Sequence, residues 1–353
     1  MLNLPFSLLK YLSPEFSHSI TLKLLKLKPG FINQNTKDDF KLHQHLWGLD
    51  FKNPIGLAAG FDKNAEVISQ LLDLGLGFVE VGTVTPKPQI GNDKPRVFRL
   101  NEDHAIINHL GFNNQGIETV KKKLEQLNIN IFSKGIIGVN IGKNQNTNNT
   151  VEDYCIGLEK LGPLVHYIVI NISSPNTPGL RNLQNRGLID NLIQSIHKVK
   201  ENNESLFSKP ILIKIAPDID DEQARDIALS SLALGIDGII ISNSTVDRPK
   251  TLKSSYQNEV GGLSGQPLFI KSTLVLKRMY SLTNGQIPLI GVGGISNGID
   301  CYEKIKAGAS LIQLYTALVY QGPLLISKIK KELLNCIITD GYKNIKEVVG
   351  ADV

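Results

Sequence analysis

The stretch NISSPNTPGLR, residues 171–181, follows the apolar run YIVI and holds two serines, two asparagines, two prolines and a glycine, with no histidine or carboxylate. A serine in such a loop has no neighbouring base to activate it. It can take part in proton transfer only through a deprotonated hydroxyl or by relaying a proton onward. Four asparagines, Asn108, Asn171, Asn176 and Asn243, fall in loops or at the ends of apolar runs. Each amide carries donors and an acceptor, so such a set matches the alternating N–H and C=O edges of a planar pyrimidine-2,4-dione without net charge. One loop asparagine is ordinarily a turn residue; four at one rim favour ring binding. Three glycine-rich or small-residue turns, GGLSG (261–265), GVGGI (291–295) and YTALV (315–319), could bring backbone N–H groups close to a phosphate. Any one of them could equally be a plain turn.

The elements that must position these residues alternate regularly. Candidate strands are IGLAA (55–59), FVEVG (78–82), GIIGVNI (135–141), YIVIN (167–171), ILIKI (211–215), GIIIS (238–242), PLIGV (288–292) and LIQLY (311–315). Helical periodicity follows over stretches such as 63–74, 113–127, 185–200, 220–234, 266–283 and 297–307. Strands that read as continuous apolar runs are buried on both faces. Eight βα units in series predict a closed (β/α)8 TIM barrel of the α/β class. HLWGLDFKNP, ahead of the first strand, reads as a small β-hairpin over the barrel's N-terminal end. Active sites of such barrels gather at the strands' C-terminal ends, and what stands there is rich in Gly, Asn, Ser and Lys and nearly free of His and Glu. That chemistry suits a planar polar ring and a phosphate better than hydrolysis. Lys214, inside the apolar ILIKIAP, either forms a structural ion pair with Asp218 or Asp237 or sets a cation beside a flavin's pyrimidine ring. Lys63, after AAGFD, serves a cofactor or a substrate carboxylate unless it is a surface lysine of a first helical turn.

Composition narrows the classes. The 353 residues are 41% hydrophobic and 20% charged, an ordinary globular balance. No apolar run reaches the roughly 18 residues of a membrane span. Three scattered cysteines, Cys155, Cys301 and Cys336, argue against a disulfide framework and for a reducing compartment. The net charge of +5 comes from lysines spread among acids, which reads as a solvated surface rather than a nucleic-acid groove. His43 and His45 lack an evident third ligand, and no metal site is expected.

The N-terminus differs. Residues 1–30 hold nine leucines, four lysines and one acid, Glu15. Ser13, Pro14 and Glu15 read as the start of a helix, with Phe16, Ile20, Leu24 and Leu27 at helical spacing behind them. PFSLLKYL before them could form a short first helix. The pair suits a monotopic membrane patch; a docked helical hairpin or a presequence are the other readings. The domain division expected is 1–30 for this amphipathic pair and 40–336 for the barrel, joined by a linker near 30–39.

Nine stretches together resemble dihydroorotate dehydrogenase: NPIGLAAGFDKNAE, VGTVTPKPQIGNDKPRVFRL, NHLGFNNQG, GVNIGKN, VINISSPNTPGLR, KIAPD, SNSTVDRP, GGLSGQPL, and the long segment from IGVGGISNGID to YQGP. They run in order from about Pro5 to about residue 335, and the form they are similar to is the quinone-dependent, membrane-associated class 2, which has an N-terminal helical pair and a serine base. The resemblance implies FMN held by Ala59, Gly60, Phe61, Asp62, Lys63, Thr83, Asn140, Asn171, Lys214, Ser242, Gly265, Gly294, Tyr315 and Thr316. It implies dihydroorotate held by Lys63, Asn108, His109, Leu110, Gly111, Phe112, Asn171, Asn176, Asn243 and Ser244, and Ser174 as the catalytic base. The family often has threonine at the positions of Ser242 and Ser244; the hydroxyl is kept.

The implied reaction is oxidation of (S)-dihydroorotate to orotate in UMP biosynthesis. Ser174 takes a proton from C5, a hydride leaves C6 for FMN, and a membrane quinone is the terminal acceptor. The resemblance also implies that Thr177 and Phe112 order a water that carries the proton away. Expected partners are dihydroorotate or orotate, a quinone and a membrane surface reached through residues 1–30, with no nucleic acid and no second electron-transfer subunit. The expected location is the cytoplasmic face of a bacterial inner membrane, with a mitochondrial inner membrane as the alternative. A tRNA dihydrouridine synthase would need a cysteine acid at a strand end and an arginine-rich groove. A phosphate-ligand sensor would have no use for Ser174 and the asparagines together.

Overall fold

The computed structural model describes residues 11–27, 38–127 and 129–353. In chain order the strands are β1 (Gln44–Leu46), β2 (Leu49–Phe51), β3 (Ile55–Leu57), β4 (Phe78–Val84), β5 (Val97–Leu100), β6 (Ala105–Asn108) and β7 (Ile136–Ile141). They continue with β8 (Tyr167–Asn171), β9 (Ile211–Ile215), β10 (Gly238–Ile241), β11 (Gly262–Gly265), β12 (Leu289–Val292) and β13 (Ala309–Leu314). The helices are α1 (Pro14–Leu27), α2 (Ile68–Leu72), α3 (Ile117–Glu125), α4 (Thr150–Leu161), α5 (Arg186–Glu201), α6 (Asp221–Ala233), α7 (Phe269–Leu282), α8 (Gly298–Lys306), α9 (Thr316–Gln321) and α10 (Leu325–Thr339).

Eight parallel strands close the barrel in the order β3, β4, β7, β8, β9, β10, β12 and β13, and Ile312 of β13 pairs with Ile55 of β3 to complete it. The aliphatic runs make this possible because each strand is buried on both faces: one face fills the barrel and the other meets the helices. The lower barrel is filled by Phe78, Tyr167, Val169, Leu212, Ile240, Ile290 and Leu311. Two of these rings fit only because glycine stands opposite. A Cβ on Gly56 would come within 2.3 Å of the Phe78 ring, and one on Gly138 within 2.1 Å of Tyr167. The hairpin of β1 and β2 turns through Trp47 and Gly48, both at positive φ, which matches a two-residue primed turn. It plugs the barrel's lower end with Phe51, and Trp47 Nε1 donates to the Asp237 carbonyl at 2.6 Å.

Two local outcomes differ from the sequence reading. The helix expected over 63–74 is confined to Ile68–Leu72. The Asp62 carboxylate accepts from the backbone of Glu66 and Val67, each at 2.8 Å, and holds a turn where the helix would have begun. GGLSG is not a turn: its last four residues form β11, which pairs with β6 in an antiparallel three-stranded sheet with β5. Elsewhere, α4 starts at Thr150 because the Asn149 side chain accepts from Glu152 N.

The α1 helix begins at Pro14, as Ser13-Pro14-Glu15 predicts. It is tied to the barrel's rim by Glu15 on Arg96 at 2.9 Å, by Arg99 donating to the Leu12 carbonyl at 2.7 Å, and by an ion pair between Lys26 and Glu66. The expected first helix over 5–12 and the linker near 30–39 fall almost wholly outside the described residues. At the other end, Ile345 and Val348 are fully buried beyond α10.

Candidate active site

The loop after β8 is built around its asparagines. Asn171 ends the strand, and its amide donates to Thr83 Oγ1 and to Asn140 Oδ1, each at 3.0 Å, while its oxygen accepts from Ser173 Oγ at 2.8 Å. Ser173 Oγ in turn accepts from Asn243 Nδ2 at 2.9 Å, so strands β8 and β10 share one polar layer. Farther along the loop, Asn176 Nδ2 reaches both oxygens of Asn108, at 3.0 and 3.1 Å, on the end of β6. Ser174 lies between these pairs. It is 5% exposed, and its Oγ accepts from Asn176 N at 3.3 Å. Among the described residues no histidine or carboxylate bonds to it.

The residues expected to hold cofactor or substrate, except Asp62, His109 and Asn140, line one cavity of about 590 Å³ together with Ser174, while Thr177 is buried outside its lining. That is the size range of a cofactor and substrate site. Asp62 is turned onto the backbone of the next turn. His109 is turned onto Asn176 Oδ1, and Asn140 stands directly behind Thr83 and Asn171. Phe112 holds a left-handed φ of 54° on the cavity wall, an uncommon conformation for a bulky side chain.

Two lysines reach the same cavity. Lys63 Nζ donates to the Gly60 carbonyl at 2.9 Å. Burial pulls its pKa down to about 8, a fall that Glu15 opposes and Arg96 assists. Lys214 is 5% exposed and forms neither of the ion pairs open to it on paper. Asp218 is held by Arg181 at 2.8 Å and Lys271 at 2.5 Å; Asp237 accepts from Ile211 N at 2.8 Å and faces Lys200 at 3.9 Å. Burial lowers the Lys214 pKa, and the negative charge of Glu80 opposes that fall.

Glu80 is a functional neighbour that the sequence did not disclose. It is fully buried on β4 and accepts from Asn140 Nδ2 at 2.8 Å, Gln313 Nε2 at 2.6 Å and the Tyr167 hydroxyl at 3.3 Å. Its partners come from three other strands, so no local pattern could announce them. A buried carboxylate that accepts three hydrogen bonds is stable where a bare one is not.

The rim after β12 and β13 is suited to an anion. The backbone N–H groups of Gly293, Gly294 and Thr316 have no acceptor among the described residues, and all three residues line the cavity. This donor set, with the Lys214 ammonium two strands round the barrel on β9, fits a cofactor that has a phosphate at one end and an electron-poor ring at the other.

A further group was missed because it comes from the N-terminal helix. Ser17, His18, Thr21 and Leu25 of α1 line the cavity together with Arg99 and Tyr315. Phe61 joins them, stacking edge-on against Tyr315 at 5.6 Å and against His18 at 5.1 Å. Burial lowers the His18 pKa to about 4, with the Lys63 charge adding to the effect. The expected stripe of Phe16, Ile20, Leu24 and Leu27 marks the other face: Phe16 is 57%, Leu24 42% and Leu27 75% exposed. His45, considered for a metal, instead faces Asp50 across the hairpin at 2.7 Å.

Comparison with known proteins gives a consistent result. The dihydroorotate dehydrogenase family model matches residues 41–337. The dihydroorotate dehydrogenase (quinone) of Rhodospirillum rubrum is 48% identical over 342 residues, covering 97% of this chain and 92% of that protein. The mitochondrial quinone form of Mus musculus is 43% identical over 351 residues, covering 98% of this chain and 88% of its own. Among solved structures, that of DHODH in complex with ferulenol from Eimeria tenella superposes with a TM-score of 0.93 at 41% identity, covering 97% of this chain and 96% of that one.

Proposed function

The chain belongs to the dihydroorotate dehydrogenase family, in its quinone-dependent class 2, and we propose from its geometry which residues carry the reaction. It is a flavoprotein oxidoreductase that converts dihydroorotate to orotate in pyrimidine biosynthesis. FMN, when bound, accepts the hydride from the substrate and passes the electrons on to a quinone.

Ser174 is the group that takes the C5 proton of the substrate. What supports this is its place: its buried side chain lines the cavity, in the loop whose Asn176 bonds to Asn108 and whose Asn171 and Ser173 link to Asn243. A hydroxyl is a weak base, so its proton must have somewhere to go. Thr177, buried beside it, and the strained Phe112 hold the water that receives it. The paired asparagines and Ser244 hold the polar edges of the ring, and Lys63 holds its carboxylate. Asn171 is fully committed to protein partners, so it orients Thr83 and Ser173 as much as it binds ring atoms. FMN is held by Ala59, Gly60, Phe61, Lys63, Thr83, Asn171, Ser242, Gly265, Gly294, Tyr315 and Thr316, with Asp62 fixing the turn that carries Lys63 and Asn140 supporting Thr83 and Asn171 from behind. Lys214 sets its positive charge beside the pyrimidine end of the flavin ring system.

The finer reading of the partners follows from α1. Its cavity-facing side, with His18, Thr21, Arg99 and Tyr315 around it, is the quinone's way in. Its outward apolar side, exposed at Phe16, Leu24 and Leu27, rests on the membrane surface. We place the protein on the cytoplasmic face of a bacterial inner membrane. Among the described residues no helix is long and apolar enough to cross a membrane.

The deciding experiment is anaerobic stopped-flow reduction of Ser174→Ala by dihydroorotate. The variant should retain its yellow FMN spectrum and bleach at least a hundredfold more slowly near neutral pH. Bleaching at the native rate would remove Ser174 from the proton step.

A further inference from the structure

Lys304 on α8 is fully buried and takes no part in the machinery above. Its ammonium donates to Ser272 Oγ at 2.6 Å and lies 5.1 Å from the centre of the Phe269 ring. No carboxylate lies within ion-pair distance of it among the described residues. Asp300, one turn earlier on the same helix, is committed to the backbone and hydroxyl of Ser296, both at 2.7 Å. A buried ammonium held by one hydroxyl and a ring face is costly, and burial draws its pKa down to about 7. The negative charge of Asp300 offsets that cost only in part, so a further anion near the ammonium would be favoured.

The geometry shows where that counter-charge would sit. Ser272 Oγ is also 3.1 Å from the Gly293 carbonyl. A Cβ on Gly293 would meet Ser272 Oγ at 2.8 Å, and one on Gly294 would meet the Phe269 backbone at 2.4 Å. The Gly293–Gly294 turn is therefore pressed onto Ser272 and Phe269, the same two residues that hold the ammonium. On its cavity side the turn presents free N–H groups.

We propose that Lys304 is a positioning residue for the FMN phosphate: from behind the Gly293–Gly294 turn it supplies the positive charge that favours a dianion on the turn's N–H groups, and through Ser272 it holds the turn in place. The proposal rests on the FMN reading of this cavity. It separates Lys304 from a lysine that merely fills space, because a role at the phosphate end discriminates between a flavin with a phosphate and one without, and general loss of packing does not.

The test is binding of FMN and of riboflavin to the full-length chain stripped of flavin, followed by quenching of flavin fluorescence. Lys304→Met, which keeps the length and removes the charge, should weaken FMN about tenfold and leave riboflavin within twofold. Equal losses for the two flavins, or no loss for FMN, would overturn the proposal. If Lys304→Met does not fold, Ser272→Ala carries the same comparison, since it removes the hydroxyl that accepts from the ammonium. It should again weaken FMN more than riboflavin, and equal losses there refute the idea. Failure of the native chain to bind either flavin would instead bring down the FMN reading itself, and this proposal with it.

Discussion

Lys63 holds its ammonium on the Gly60 carbonyl at 2.9 Å, and burial brings its pKa to about 8. The sign of that shift makes a prediction. The free enzyme carries the charge below about pH 8 and loses it above, so the carboxylate of dihydroorotate is attracted only on the acid side. KM for dihydroorotate should be flat below that point and rise above it, approaching tenfold per pH unit. Lys63→Gln should raise KM about a hundredfold at pH 7, from roughly 3 kcal/mol of lost desolvated pairing, and should flatten the profile. The rate of flavin reduction at saturation should keep its own pH dependence, since that follows Ser174. A KM in the native enzyme that stays flat to pH 10 would place the carboxylate elsewhere. At this scale the sequence was most informative where one residue type recurs without its usual partner, as with the serine lacking a histidine and the lysine inside an apolar strand. It was silent on Glu80, whose meaning depends on Asn140, Tyr167 and Gln313 from other strands.

The loop after β8 must keep Ser174 in place, and Arg181 is the side chain that does so. Its Nε donates to the Ser173 carbonyl at 3.0 Å and its Nη2 to the Ser244 carbonyl at 3.0 Å, while Nη1 rests on Asp218 at 2.8 Å. One planar fork thus joins the residue before Ser174, the proposed base, to Ser244 on the cavity wall. A lysine has a single donor head and cannot span both carbonyls and the carboxylate. Arg181→Lys should lower kcat about tenfold while FMN remains bound, and Arg181→Gln should also reduce stability by about 1–2 kcal/mol. Rates within twofold of native in both would mean the loop is held by its own turns. The barrel strands were legible because parallel strands buried on both faces leave continuous apolar runs. The sheet of β5, β6 and β11 was not, since its strands are four residues long and carry Arg99, Asn108 and two glycines. Its third strand comes from more than 150 residues away in the chain, a pairing that no local pattern encodes.

At the scale of the molecule, one cavity runs from the asparagine cluster to the inner face of α1, so two redox partners can reach one cofactor from opposite ends. The substrate end is polar, hydrogen-bonded and closed by loops. The α1 end is lined by Leu25, Phe61 and Tyr315 and bounded by a helix whose outer face is apolar. The inner face of α1 meets the barrel partly through polar residues, with Glu15 on Arg96 and Lys26 on Glu66. Core packing therefore does not explain Phe16, Leu24 and Leu27, which point away from the protein. Burying half of each side chain in a lipid surface would stabilise attachment by roughly 1 kcal/mol apiece. The triple variant Phe16→Ser, Leu24→Ser, Leu27→Ser should therefore bind anionic vesicles about a hundredfold more weakly in a flotation assay. Its flavin should still be reduced by dihydroorotate at the native rate, because none of the three residues lines the cavity. Turnover with a soluble short-chain quinone should persist, and turnover with a long-chain quinone held in vesicles should fall with the binding. Unchanged vesicle binding would show that this face serves something other than lipid. Loss of flavin reduction as well would show that α1 shapes the substrate end, and that the two ends are not independent.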